Sequence, residues 1–302
     1  MRSFMSAFAS GVLRITLHKQ MLNNNCLFDK YMQYCAAVSA KPYKIAPIFP
    51  MKSQTKYYRF EDTDIVTLQA KHHKPKTLIL YLHGGAYLEQ PVPFQWSFID
   101  HLVHDTDTLV VAPIYNKTPR HNYKEAHIML TALYKKMLAH TSAENIIFFG
   151  DSSGGGLALA FAKSLLQTDL PQPKQILLFS PWLDISMEND DMDLYDRVDP
   201  SLGRKWLRQI ALAWANKTDL HDPLLSPLFG SNVGLAKTAL FVGDREILLP
   251  DARLYREKAL ADGVDFTYVE QSGVNHCYPF YPTPEAKQAK KYVNNFINTG
   301  RI

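Results

Sequence analysis

From residue 57 to the C-terminus, short runs of consecutive apolar residues alternate with longer stretches in which apolar residues recur every three or four positions. Residues 57–60 and 65–70 alternate apolar and polar side chains around the polar turn 61–64, which predicts an antiparallel hairpin. Runs at 77–82, 109–115, 146–149, 175–180, 239–243 and 266–269 read as strands, most of them buried on both faces. Between them the spacing predicts helices. The clearest carries Ala126, Met129, Leu130, Leu133, Met137 and Leu138 on one stripe. Others span 94–104 and 157–166, the second apolar nearly all round. A further helix runs between Pro250 and Gly263, and a terminal one opens at Thr283-Pro284 with Ala286, Ala289, Val293, Phe296 and Ile297 along one face.

Strand–helix–strand units repeated in this way predict an α/β fold, with a mostly parallel central β-sheet flanked by helices. Residues 185–236 break the rhythm, acidic at first and then aromatic with Trp206 and Trp214. An insertion of that length between two core strands reads as a helical cap. Residues 1–50 complete it as an N-terminal lid segment, so 51–302 form the catalytic domain with the insertion at about 185–236. At the N-terminus, Arg2 and the apolar residues after it faintly resemble a secretory leader, but Ser3, Ser6, Ser10 and Gly11 dilute the run and Arg14 closes it. Phe4, Phe8, Val12 and Ile15 fall instead at helical spacing and predict a surface-covering amphipathic helix.

Composition narrows the function classes. The chain has 302 residues, enough for one large α/β domain, and a net charge of +4 from 33 basic and 29 acidic residues. The basic clusters at 71–76 and 287–291 lack interleaved aromatics, so no nucleic-acid partner is expected. No apolar run is long enough for a membrane span, and no stable membrane insertion is expected. Three cysteines form neither a disulfide framework nor a zinc site, which favours a reducing, cytoplasmic compartment. No residue pattern speaks for or against a homodimer.

Chemistry concentrates at the carboxyl ends of the strands, where ligands bind in such sheets. After 146–149 the chain reads Gly150-Asp151-Ser152-Ser153-Gly154, a G-x-S-x-G turn that would project the Ser152 hydroxyl out of the sheet. After 77–82 comes His83-Gly84-Gly85-Ala86-Tyr87, whose paired glycines can turn backbone N–H groups toward a bound oxyanion. A serine nucleophile needs an imidazole base, and in folds of this kind the partners follow in the order serine, acid, histidine. Only His221 and His276 follow Ser152; His221 lies in the insertion and His276 follows the last strand, so His276 is the candidate base. After 239–243, Asp244 and Glu246 both sit where a carboxylate could orient that imidazole, and the chemistry leaves the two open. Asp251 reads as a first-turn helix acid held by the dipole.

These motifs, with Ser180-Pro181-Trp182-Leu183-Asp184, Asp222-Pro223 and Ser226-Pro227, resemble the hormone-sensitive-lipase-like branch of the α/β-hydrolase superfamily over roughly residues 75–280. The resemblance implies an α/β-hydrolase fold with a cap built from the N-terminal segment and the insertion. It implies a serine carboxylesterase for small to medium acyl esters, working through an acyl-serine intermediate without metal or organic cofactor. At the acid, the family pattern is an acidic residue, any residue, leucine, then a further acid; Glu246, Leu248 and Asp251 match it, so the resemblance implies the triad Ser152, Glu246 and His276. The implied oxyanion donors are Gly84, Gly85, Ala86 and Ser153. Ala86 departs from the family's glycine but keeps its N–H, and of the family's stretch at 115–120 only Tyr115 and Pro119 remain. Tyr87 and Trp182, with Trp206 and Trp214, are expected to line an aromatic substrate pocket. An amidase or deacetylase would use the same groups; a non-catalytic receptor on this fold would not need the histidine.

Overall fold

The computed structural model describes residues 3–15, 18–71 and 74–302. Arg2, the side chains of Val12 and Ile15, and residues 72–73 of the first basic cluster lie outside the described residues. The N-terminal segment forms helices α1 (Phe4–Ile15), α2 (His18–Leu22) and α3 (Asn25–Ser39). The sheet follows as β1 (Gln54–Phe60), β2 (Thr63–Gln69), β3 (Thr77–Leu82), β4 (Thr108–Ile114), β5 (Ile146–Asp151), β6 (Gln175–Phe179), β7 (Lys237–Gly243) and β8 (Phe266–Gln271). Their order is β1-β2-β4-β3-β5-β6-β7-β8. The β1–β2 hairpin and the β2–β4 pair are antiparallel, and every other pair is parallel.

The central parallel strands β3, β5, β6 and β7 are mostly apolar because both their faces are covered, whereas the edge strand β8 is only half-buried. Neighbouring residues point to opposite sides: Leu80, Leu82, Ile146 and Phe148 face α5 (Tyr123–Leu138), α6 (Ser152–Leu165) and α9 (Leu249–Ala261). Ile79, Tyr81, Ile147 and Phe149 face α4 (Pro93–Thr106) and α10 (Pro284–Thr299). The insertion supplies α7 (Met192–Val198) and α8 (Arg204–Ala215). It meets the N-terminal segment directly: Lys19 Nζ pairs with Asp196 at 2.8 Å, and Lys205 Nζ donates to Asn23 O at 3.0 Å.

Two expectations need correction. Helix α6 begins at Ser152, not near 157, so the glycine run lies inside the helix. The run hides the helical periodicity, but no side chain fits there: a Cβ on Gly154 would lie 2.1 Å from Leu82 O, and one on Gly156 would lie 2.1 Å from Trp182 O. Helix α1 does not cover the surface through Phe4 and Phe8, which are 83% and 61% exposed. Its polar side docks instead, with Ser3 Oγ donating to Glu285 of α10 at 2.8 Å and Ser6 Oγ donating to the same carboxylate at 2.8 Å.

Candidate active site

Strand β5 is buried to its last residue, and the chain reverses at Ser152 with φ of +53°, a conformation that L-residues other than Asn and Asp seldom adopt. That backbone strain is held by packing and by Trp182 N, which donates to Ser152 O at 2.8 Å. Ser152 therefore stands at the mouth of α6, where the helix favours developing negative charge.

The turn after β3 is also left-handed, with φ of +124° at Gly85, +53° at Ala86 and +59° at Tyr87. Consecutive left-handed residues direct successive amides to one side, which makes an anion-binding concavity. The amides of Gly85 and Ala86 have no acceptor among the described residues, and Ser153 N lies in the first turn of α6, where helices leave amides unpaired. Gly84 lines the same cavity and passes close to the Asp151 carboxylate, so that a Cβ there would lie 2.4 Å from Asp151 Oδ2. That carboxylate accepts from Tyr81 Oη at 2.7 Å and Gln95 Nε2 at 2.8 Å. Burial raises the Asp151 pKa to about 6 against these donors. The turn is braced from behind by His83, stacked on Tyr115 at 4.6 Å, and burial holds that ring neutral.

Of the two carboxylates left open, the structure sets Glu246 against His276. Glu246 Oε2 accepts from His276 Nδ1 at 2.5 Å, while Oε1 accepts from Ser180 Oγ at 2.7 Å and from Gly243 N at 2.8 Å. The carboxylate is fully buried. Asp244 is occupied elsewhere, accepting from Ser272 Oγ at 2.8 Å and Gly273 N at 2.6 Å, and so shapes the turn that carries His276. Burial of the His276 ring opposes its protonation, but Cys277 beside Nε2 and Glu246 beside Nδ1 outweigh it and hold its pKa well above the ordinary histidine value. Nε2 faces Cys277 Sγ at 3.5 Å, and no hydrogen bond joins it to Ser152. Asp251 lies in the first turn of α9, as expected, and is fully buried there; it accepts from Asn189 Nδ2 at 2.8 Å, and burial raises its pKa to about 7.

Ser152 and His276 line one cavity of about 300 Å³, together with the Gly84–Gly85–Ala86 turn. Trp206, Ser201 and Leu202 of the insertion form part of its wall. Buried Asp199 fixes that wall to the acid loop, accepting from Leu202 N at 2.9 Å and from Ile247 N at 2.9 Å. Tyr87 and Trp182 are not in the cavity. Both are buried beneath it, with Tyr87 stacked on Trp214 at 4.4 Å and on Trp182 at 5.7 Å. Glu89, Gln95 and Cys277 line the cavity without having been expected there. Glu89 could have been found from sequence, three residues beyond Ala86 on the same turn. Gln95 and Cys277 carry no motif.

An α/β hydrolase fold family profile matches residues 79–280, and the chain belongs to that family. Within it, the chain falls with esterases and lipases of the hormone-sensitive-lipase-like branch. An esterase of Acinetobacter venetianus is 31% identical over 227 residues, covering 74% of this chain and 75% of the relative. A triacylglycerol lipase of Mycobacterium tuberculosis is 29% identical over 217 residues, 72% of this chain; the match spans 45% of that lipase's length. Among solved structures, an esterase from the bacterial hormone-sensitive lipase family superposes with a TM-score of 0.83 at 25% identity, covering 99% of this chain and 98% of that one. Among the described residues no helix is long and apolar enough to cross a membrane.

Proposed function

We propose that this chain is a serine carboxylesterase of small to medium acyl esters, with Ser152 as nucleophile, His276 as base and Glu246 as the orienting acid. The observation that carries it is the 2.5 Å His276–Glu246 contact at the rim of the cavity that also holds Ser152 at its left-handed turn. With Nδ1–H committed to Glu246, the proton-accepting lone pair of the imidazole lies on Nε2. Ser152 Oγ attacks the ester carbonyl as its proton passes to Nε2, once the two come within hydrogen-bond reach. The negative charge on the carbonyl oxygen is met by the N–H groups of Gly85, Ala86 and Ser153, each worth about 3 kcal/mol in a comparable oxyanion site. His276 then protonates the departing alcohol, and a water molecule repeats the sequence on the acyl-serine. Residues 1–50 and 185–236 act together as the cap over this cavity.

Replacing Ser152→Ala should lower hydrolysis of p-nitrophenyl butyrate by at least about 10⁴-fold while the thermal transition is kept. Activity within ten-fold of the parent would overturn the reading.

A further inference from the structure

We propose that Asp199 is a positioning residue for the triad, one that ties the register of Glu246 to the seating of the cap. The inference rests on the esterase reading and adds to it a residue that acts through Glu246.

Asp199 lies in the insertion between α7 and α8 and is 3% exposed. A carboxylate taken that far from water is kept only with its oxygens hydrogen-bonded. The two oxygens divide their partners. Oδ1 accepts from Ser201 N at 2.8 Å, Ser201 Oγ at 3.0 Å and Leu202 N at 2.9 Å, which shapes the turn that sets Ser201 and Leu202 on the cavity wall. Oδ2 accepts from Ile247 N at 2.9 Å, 48 residues along the chain.

The Ile247 amide shares its peptide plane with the Glu246 carbonyl, so this bond fixes how the Glu246 backbone is turned. At the far end of the same residue, Ser180 Oγ and Gly243 N hold Oε1. Glutamate has one more rotatable side-chain bond than aspartate, and that freedom must be removed before Oε2 meets His276 Nδ1 at 2.5 Å. The N-terminal segment joins the same clamp. Lys19 Nζ of α2 donates to Asp199 O at 3.1 Å and pairs with Asp196 Oδ1 at 2.8 Å. Both cap segments therefore bear on the loop that carries the acid.

Asp199→Asn keeps the volume and leaves one side-chain oxygen. That oxygen stays with the three donors of the wall, so Nδ2 faces Ile247 N, donor against donor, and the link to the acid loop alone is cut. On p-nitrophenyl butyrate, kcat should fall by about 10- to 100-fold with KM changed by less than about three-fold. A double-mutant cycle separates positioning from general damage: in the Glu246→Gln background, Asp199→Asn should cost less than about three-fold. An equal loss in both backgrounds, a loss carried by KM, or no loss in the parent would overturn the proposal. The Nδ1 proton of His276, read by NMR as a strongly deshielded resonance, tests the same claim without turnover. Asp199→Asn should broaden it or move it upfield, whereas Ser152→Ala should leave it in place; a resonance unchanged in Asp199→Asn would overturn the proposal. Because this signal needs no ester hydrolysis, it decides the role of Asp199 even if Ser152→Ala were to overturn the esterase reading. Should Asp199→Asn fail to fold, Lys19→Met loosens the clamp from the N-terminal side. It should lower kcat by about three-fold or more in the parent and not in Glu246→Gln, and an unchanged kcat in the parent would overturn the proposal.

Discussion

Replacing Glu246→Gln removes one charge and almost no volume, which isolates what the acid does. Oε1 accepts from Ser180 Oγ and Gly243 N, and an amide oxygen can accept both bonds, so the loop should keep its shape. The amide nitrogen must then take the place of Oε2, turning two donors toward His276 Nδ1. The imidazole can bond to it only by accepting on Nδ1, which moves the ring proton to Nε2, the atom that must receive the Ser152 proton. A base held in the wrong tautomer lowers kcat by about 10⁴-fold in the serine-protease triad. A loss of 10³ to 10⁴, about 4–5.5 kcal/mol of barrier, is therefore expected here. The substitution also moves the pH profile. In the parent, neutral His276 is the working base and its pKa is raised, so activity should fall as pH drops through a value above 6.5. Removing the Glu246 charge lowers that pKa and shifts the acidic limb of residual activity to lower pH. The assay is p-nitrophenyl butyrate hydrolysis from pH 5 to 10, with a thermal melt at each pH. Activity within ten-fold of the parent, or an acidic limb that does not move, would refute the reasoning. The same loss in Asp244→Asn would refute it equally, because that carboxylate serves Ser272 and Gly273.

Asp251→Asn should stabilise the fold at alkaline pH. The carboxyl pKa rises from 3.8 to about 7 on burial, so ionisation progressively costs stability as pH climbs between those values; the gain should be on the order of 2–4 kcal/mol above pH 8 and vanish near pH 4, and a gain independent of pH would contradict it. Gly154→Ala should destabilise by at least about 3 kcal/mol in urea unfolding, because its Cβ would meet the backbone oxygens of Leu82 and His83 at 2.1 and 2.5 Å; a near-neutral effect would show that the strand ends can move apart.

What sequence could show depended on how local the physics was. Strand and helix alternation was legible because burial on both faces leaves continuous apolar runs, and repeated crossovers imply a mostly parallel sheet; the strand order, with β4 between β2 and β3, was not read from the sequence. Ser152, the left-handed turn after β3 and the position of His276 were legible because each is tied to the end of a strand. The choice between Glu246 and Asp244 was not local. It depends on Ser272 and Gly273, which claim Asp244, and on Ser180 and Gly243, which claim Glu246. Asp251 was legible as a first-turn acid of α9, but its burial was not, because Asn189, which donates to it, lies far away in the chain. Tyr87 and Trp182 adjoin motif residues, yet Trp214 of α8 stacks over Tyr87 and takes it into the core.

The central claim is that Ser152 is an activated nucleophile. Diisopropyl fluorophosphate, followed by intact mass and peptide mapping, measures this directly. The account predicts one diisopropylphosphoryl group per chain, located on Ser152, with labelling abolished in Ser152→Ala and slowed in Glu246→Gln. A parent protein that stays unlabelled, or label that persists in Ser152→Ala, would contradict it.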